Sequence, residues 1–130
     1  MDGVTGGCVC GKLRIVATAR PYRVGLCHCL TCRKHHGALF HASAIFPADA
    51  VTVEGEARGY NGRFFCADCG SPVFGRSGDE TEVNLGALDA PDRFMPTYEL
   101  WTVRRESWLP PFPLKHRYQH DRKGEGRAED

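Results

Sequence analysis

The chain has 130 residues, enough for one domain around one hydrophobic core. Hydrophobic residues make up 42%, a globular share, and a formal net charge of +1 provides no overall field to draw nucleic acid or a membrane surface. No apolar run approaches the roughly 20 residues of a spanning helix, and the opening residues lack the basic end and apolar centre of a secretory signal.

In chain order, Gly6-Gly7-Cys8-Val9-Cys10-Gly11 reads as a turn-rich knuckle. Residues two apart in extended chain point to one face, so Cys8 and Cys10 can approach one ion. Residues 12–19 read as a half-buried strand with Leu13, Ile15 and Ala17 inward, ended by Pro21. The run Leu26 to Lys34 then places Cys27, Cys29 and Cys32 within six residues. Arg33 to His36 predicts a short helical turn before Gly37. Residues 38–46 predict a strand with Phe40, Ala42, Ala44 and Phe46 on one face and His41 on the other.

A turn at residues 47–49 and a short strand at 51–53 follow. Asn61-Gly62 is a hairpin signal, and Arg63-Phe64-Phe65 delivers Cys66-Ala67-Asp68-Cys69. Val73-Phe74 and residues 82–85 suggest another hairpin around a turn at 75–79. Residues 97–103 predict a strand with Tyr98, Leu100 and Thr102 on one face and Trp101 and Val103 on the other. Pro110, Pro111 and Pro113 favour extended chain, and the last fifteen or so residues, nearly all polar, read as a weakly ordered tail. Short strands, turn signals and little helical periodicity make the fold mostly β.

The seven cysteines group as two, three and two. Their odd number prevents complete intramolecular disulfide pairing, and with no signal segment they point to a reducing compartment, the cytoplasm. C-x-C and C-x-x-C spacings suit a metal. Cys8, Cys10, Cys66 and Cys69 have the form of a closed four-cysteine structural zinc site. Cys27, Cys29 and Cys32 are one ligand short. They form either a second structural site completed by His35, His36, His41 or Asp68, or an open zinc site able to take water, an aldehyde oxygen or a thiol. His28, between two ligands, should point away. An iron–sulfur cluster would want a fourth cysteine, and a redox-sensing thiol group would need exposure and depressed pKa. The histidine pair reads as surface or supporting, Arg104-Arg105 as a solvated strand end, and Trp101 and Trp108 as core or groove wall.

At these residues the chain resembles the glutathione-dependent formaldehyde-activating enzyme family, which includes the centromere protein V relatives. The resemblance rests on Gly-Gly-Cys-Val-Cys-Gly at 6–11 and on Cys-His-Cys-Leu-Thr-Cys-Arg-Lys at 27–34 with Gly37 and Phe40. It also rests on Phe-Cys-Ala-Asp-Cys-Gly-Ser-Pro-Val-Phe at 65–74, with a weaker match from Pro96 to Trp108. It implies a β-tent fold of antiparallel sheets stapled by zinc, and two zinc ions per chain. One ion would be structural on Cys8, Cys10, Cys66 and Cys69. The other would sit on Cys27, Cys29 and Cys32 as the reactive centre. The implied activity joins formaldehyde and glutathione, formally a carbon–sulfur lyase run in reverse, with a small thiol and an aldehyde as partners.

Arg33 and Lys34 are candidates for orienting an anionic substrate. The zinc-binding domain is expected over 1–112 and a polar tail over 113–130. Two positions depart from the family pattern: Glu99 stands where members often carry His, and Ser107 where they often carry Pro. Were position 99 part of the substrate pocket, its carboxylate would disfavour a carboxylate-rich tripeptide. The rival expectation is a non-catalytic zinc-binding module that uses its β surface to bind a protein.

Overall fold

The computed structural model describes residues 3–124 and 126–130. Among the described residues the strands form two sheets. The smaller joins β1 (Val4–Gly7), β2 (Arg14–Ala17) and β5 (Val51–Glu54), all antiparallel. The larger runs from β11 (His116–Arg117) through β10 (Tyr98–Leu100), β3 (Arg23–Cys27) and β4 (His41–Pro47). It continues through β9 (Glu80–Asn84), β8 (Pro72–Ser77) and β7 (Arg63–Cys66) to β6 (Ala57–Tyr60). One helix, α1 (Leu30–His36), connects β3 to β4.

The mostly β fold is the one expected, with one refinement: β10 runs parallel to both β3 and β11, so the larger sheet is mixed. Parallel neighbours need a long connection, and most of the chain lies between β3 and β10.

Strand alternation builds the core. In β2, Ile15 and Ala17 are buried while Val16 faces out. These meet Val4 and Val51 of the small sheet and Ala44, Phe46, Val73, Phe74 and Val83 of the large one. Phe46 is fully buried, and removing such a ring costs about 3–5 kcal/mol. Strand β4 is buried on both faces, from Ser43 to Phe46, because it pairs with β3 and β9 in the sheet interior. Its His41 is therefore a buried polar group that needs partners.

The Asn61-Gly62 hairpin forms as expected between β6 and β7. Both loop residues have positive φ, 49° and 77°, the requirement of the two-residue turn that matches strand twist.

Several expectations are corrected. Strands β1 and β3 were hidden by glycines, which weaken strand signals, and form because each finds a paired neighbour. The helix begins at Leu30, three residues earlier than expected, because Cys29 caps it. The strand expected over 97–103 stops at Leu100. Trp101 takes a left-handed conformation, φ 56°, and starts a short 3₁₀ turn over Thr102–Arg104.

Contacts from the C-terminal segment hold that turn. Trp101 N donates to His120 O at 3.0 Å, and its indole N–H donates to Asp121 Oδ1 at 2.9 Å. The tail expected to be weakly ordered is thus laid against the large sheet. It contributes β11, and Glu129 meets Arg122 at 2.9 Å and the Tyr118 hydroxyl at 2.6 Å. Its polar residues find charged partners, which composition does not reveal.

Candidate metal centres

Cys8 and Cys10 lie in the turn between β1 and β2, while Cys66 ends β7 and Cys69 sits in the turn before β8. The four sulfurs lie within 4.8 Å of one another. Cys8 and Cys10 are 3.5 Å apart, and Cys10 and Cys66 3.7 Å. A zinc tetrahedron with 2.3 Å bonds has sulfur–sulfur edges of about 3.8 Å, so the spacing fits.

The backbone fits thiolates too. Leu13 N donates to Cys8 Sγ at 3.2 Å, and Asp68 N and Cys69 N donate to Cys66 Sγ at 3.4 Å. The hydrogen bond with the Ser71 hydroxyl, then amide contacts, bring the Cys69 thiol down to about 5. This centre would join the small sheet to the large one where Cys8 and Cys66 enter the core.

The second cluster is built at the junction of β3 and α1. Cys27 ends the strand, Cys29 caps the helix by accepting from Cys32 N at 3.3 Å, and Cys32 lies in the first helical turn. Their sulfurs also lie within 4.8 Å. Contact with Cys27, then burial, pushes the Cys32 thiol up to about 12. Three thiols so close can ionise together only beside a cation, and three soft sulfurs suit zinc. Among the described residues the cluster has three members, not four.

Of the fourth-ligand candidates, His41 lies beside the triplet and the others lie elsewhere. Asp68 is at the other centre, 3.6 Å from Lys12 Nζ. His35 packs toward Phe65 at 6.4 Å, and His36 stacks on His41 with ring centroids 4.0 Å apart. His41 sits next to Cys32, with Nε2 2.9 Å from Asn84 Oδ1 and Nδ1 3.6 Å from Glu82 Oε1. His28 turns away from the sulfurs, as its position between two ligands required, and its Nε2 lies 2.7 Å from Glu99 Oε1.

A cavity of about 390 Å³ opens over the triplet. All three cysteines line it, with His41, Arg63 and Glu82 among the other walls. Trp101, Asp121 and Arg122 close a further side, so the C-terminal segment forms part of this cavity. Arg33 and Lys34 do not line it. They border a separate hollow with Leu30 and residues 37–39, and Arg33 is engaged by Glu106 at 3.1 Å and the Arg104 carbonyl at 3.0 Å.

Glu99 is also absent from the cavity wall. It is 1% exposed and faces Arg117 at 3.2 Å and Arg105 at 3.5 Å, so its charge is spent inside the protein. Arg105, expected as a solvated strand end, is part of that buried network. Arg63, Glu82, Asp121 and Arg122 escaped the sequence reading because nothing in their local pattern separates them from ordinary surface charges.

The fold is similar to a crystal structure of a Rhodobacter sphaeroides protein, with a TM-score of 0.54 and 20% identity over 68% of this chain and 91% of that one. No curated protein sequence matches the chain. The family model of the glutathione-dependent formaldehyde-activating enzyme matches residues 3–104, a span that holds all seven cysteines of both centres. The chain belongs to the glutathione-dependent formaldehyde-activating enzyme family.

Proposed function

We propose that this chain is a zinc enzyme joining a small thiol such as glutathione to an aldehyde such as formaldehyde, a carbon–sulfur lyase reaction in its synthetic direction. The observation that carries this reading is a three-sulfur cluster opening onto a cavity large enough for a small molecule. Family membership supports the thiol and the aldehyde. Cys27, Cys29 and Cys32 would hold the reactive zinc, and Cys8, Cys10, Cys66 and Cys69 a structural one. Zinc at the triplet would supply a Lewis-acid position for thiolate sulfur or carbonyl oxygen.

The protein's own residues do the remaining work. In the reaction the thiol sulfur bonds to the carbonyl carbon, the carbon–oxygen π bond breaks, and the oxygen gains a proton. Glu82, which lines the cavity beside His41, is positioned to take the thiol proton. His36 and Asn84 hold His41 in place against Cys32. Trp101 and Leu100 supply apolar wall that limits water around the reacting atoms.

We read residues 1–112 as the zinc-binding unit and 113–130 as a polar segment laid against it. A reducing compartment, the cytoplasm, suits seven cysteines none of which is in a disulfide. No helix among the described residues is long and apolar enough to cross a membrane.

The test is zinc content of freshly purified protein, with and without glutathione, followed by an assay for S-hydroxymethylglutathione. Two zinc ions per chain, one altered by thiol, together with formaldehyde-dependent product, are the expected result. Two ions indifferent to thiol and no product would instead favour a non-catalytic zinc module that binds a protein.

A further inference from the structure

Arg63 occupies an unusual place. It is the first residue of β7, directly after the Asn61-Gly62 turn, and the same strand ends in Cys66 of the closed centre. Its side chain is half-buried and lines the cysteine cavity. It also lines a neighbouring hollow of about 320 Å³ that shares Arg23, Ile45 and Glu82 with that cavity. A third hollow, bounded by Cys29, Trp101 and Asp121, has Arg63 in its wall as well. One guanidinium thus stands where three hollows meet, two of them bordered by Cys29.

The other cations of the cysteine cavity are already engaged. Arg23 pairs with Glu80 at 2.8 Å, and Arg122 pairs with Glu129 at 2.9 Å. Among the described residues Arg63 meets no carboxylate, and its side chain makes one hydrogen bond, to the Asn61 carbonyl two residues back, at 3.4 Å. A guanidinium offers five N–H donors in a flat fork that matches a carboxylate. A half-buried cation with most donors uncommitted, beside a thiol-binding cluster, is suited to grip the far end of an anionic substrate.

We infer that Arg63 is the specificity-determining residue of the cysteine cavity, reading a carboxylate of a small thiol whose sulfur is directed to Cys27, Cys29 and Cys32. The inference deepens the proposed function and rests on it for the direction of the sulfur. Arg33 and Lys34 are replaced in this role by a residue that faces the cavity. The carboxylate lies against Arg63, on the side of the cavity that opens toward the neighbouring hollow, and a neutral thiol lacks this anchor. Glu82 repels an anion placed too near His41, so it sets which end of the substrate faces the cysteines.

The test uses S-methylglutathione, whose blocked sulfur removes the thiol chemistry, and its diethyl ester, which lacks both carboxylates. Binding to the zinc-loaded protein is measured by calorimetry for the native chain and the Arg63→Gln and Arg63→Lys variants. Native protein should bind the acid at least about tenfold more tightly than the ester, the scale of one charge-assisted hydrogen-bonded contact. Arg63→Gln should erase that preference while leaving ester binding unchanged, and Arg63→Lys should restore part of it. Equal affinity for acid and ester in the native chain, absence of binding, or a preference that survives Arg63→Gln would overturn the inference. If the acid is preferred through Arg63 but no S-hydroxymethylglutathione forms from formaldehyde, the inference stands and the proposed activity falls.

Discussion

Glu99 and His28 form a buried pair, Oε1 to Nε2 at 2.7 Å, that ties β10 to the junction between Cys27 at the end of β3 and Cys29 at the cap of α1. With Nε2–H donating to the carboxylate, His28 Nδ1 is left buried without a partner among the described residues. The carboxylate also meets Arg105 and Arg117, so Glu99 adds a buried side-chain anchor, beside the β10–β11 pairing and the Trp101 contacts, between the matched residues 3–104 and the segment beyond them.

Glu99→Ala should therefore destabilise the fold by about 3 kcal/mol, because it leaves the fully buried His28 ring without its carboxylate and removes the shared partner of Arg105 and Arg117. Glu99→Gln should cost less, since its amide oxygen can still accept from His28. Urea unfolding of the zinc-loaded proteins checks both. S-methylglutathione affinity should be the same in Glu99→Gln as in the native chain, because Glu99 does not face the cavity.

The two centres should separate under mutation. Cys66→Ser removes a buried sulfur that accepts two amides and lies at the junction of the sheets, so the cooperative unfolding transition should disappear. Cys27→Ser should retain the transition, lose about half the zinc and lose thiol binding. Circular dichroism on heating, paired with elemental analysis, reads both. If Cys27→Ser unfolds as completely as Cys66→Ser, the triplet is a structural site and the proposed function loses its support.

Gly25 is a point of close approach. A Cβ there would lie 2.2 Å from Tyr98 Cζ, and the Tyr98 ring is buried and cannot step aside. Gly25→Ala should cost about 1–3 kcal/mol through overpacking. Because Tyr98 lines the cysteine cavity and β3 ends in Cys27, thiol affinity should fall as well. A lowered melting temperature with weaker glutathione binding is the expected outcome.

Acid should loosen the C-terminal segment. Burial raises the Glu129 carboxyl, but the hydrogen bond from Tyr118 and the Arg122 contact outweigh it and hold the group below its ordinary 4.5. Its contribution is thus complete above about pH 4.5 and fades as pH falls through the lowered value. The Trp101 indole, which donates to Asp121 in the same segment, should report the change in its NMR signal below pH 4.5. An indole resonance that shifts only with global unfolding would refute this.

Local pattern carried much of the fold. Alternation in residues 13–17 placed Ile15 and Ala17 inward, Asn61-Gly62 marked a hairpin, and close cysteine spacing separated the two sulfur clusters that the structure brings together. These are short-range facts: a pleat, a turn and a chelate bite are set within a few residues. The end of β10 at Leu100 and the order in the C-terminal segment were not legible. Trp101 takes its left-handed turn because of His120 and Asp121, about twenty positions away.

The cavity wall was invisible for the same reason. Arg33 and Lys34 adjoin the triplet in sequence, but α1 turns them to another hollow, while Arg63 reaches the cavity from β7. By itself the sequence determined the fold class, the two sulfur clusters and the family resemblance, since each follows from residue type and spacing. Only the tertiary structure decided which charges line the cavity over the triplet and which, like Glu99, are neutralised inside. Charge pairing depends on distances across the fold, and neighbouring positions along the chain do not encode them.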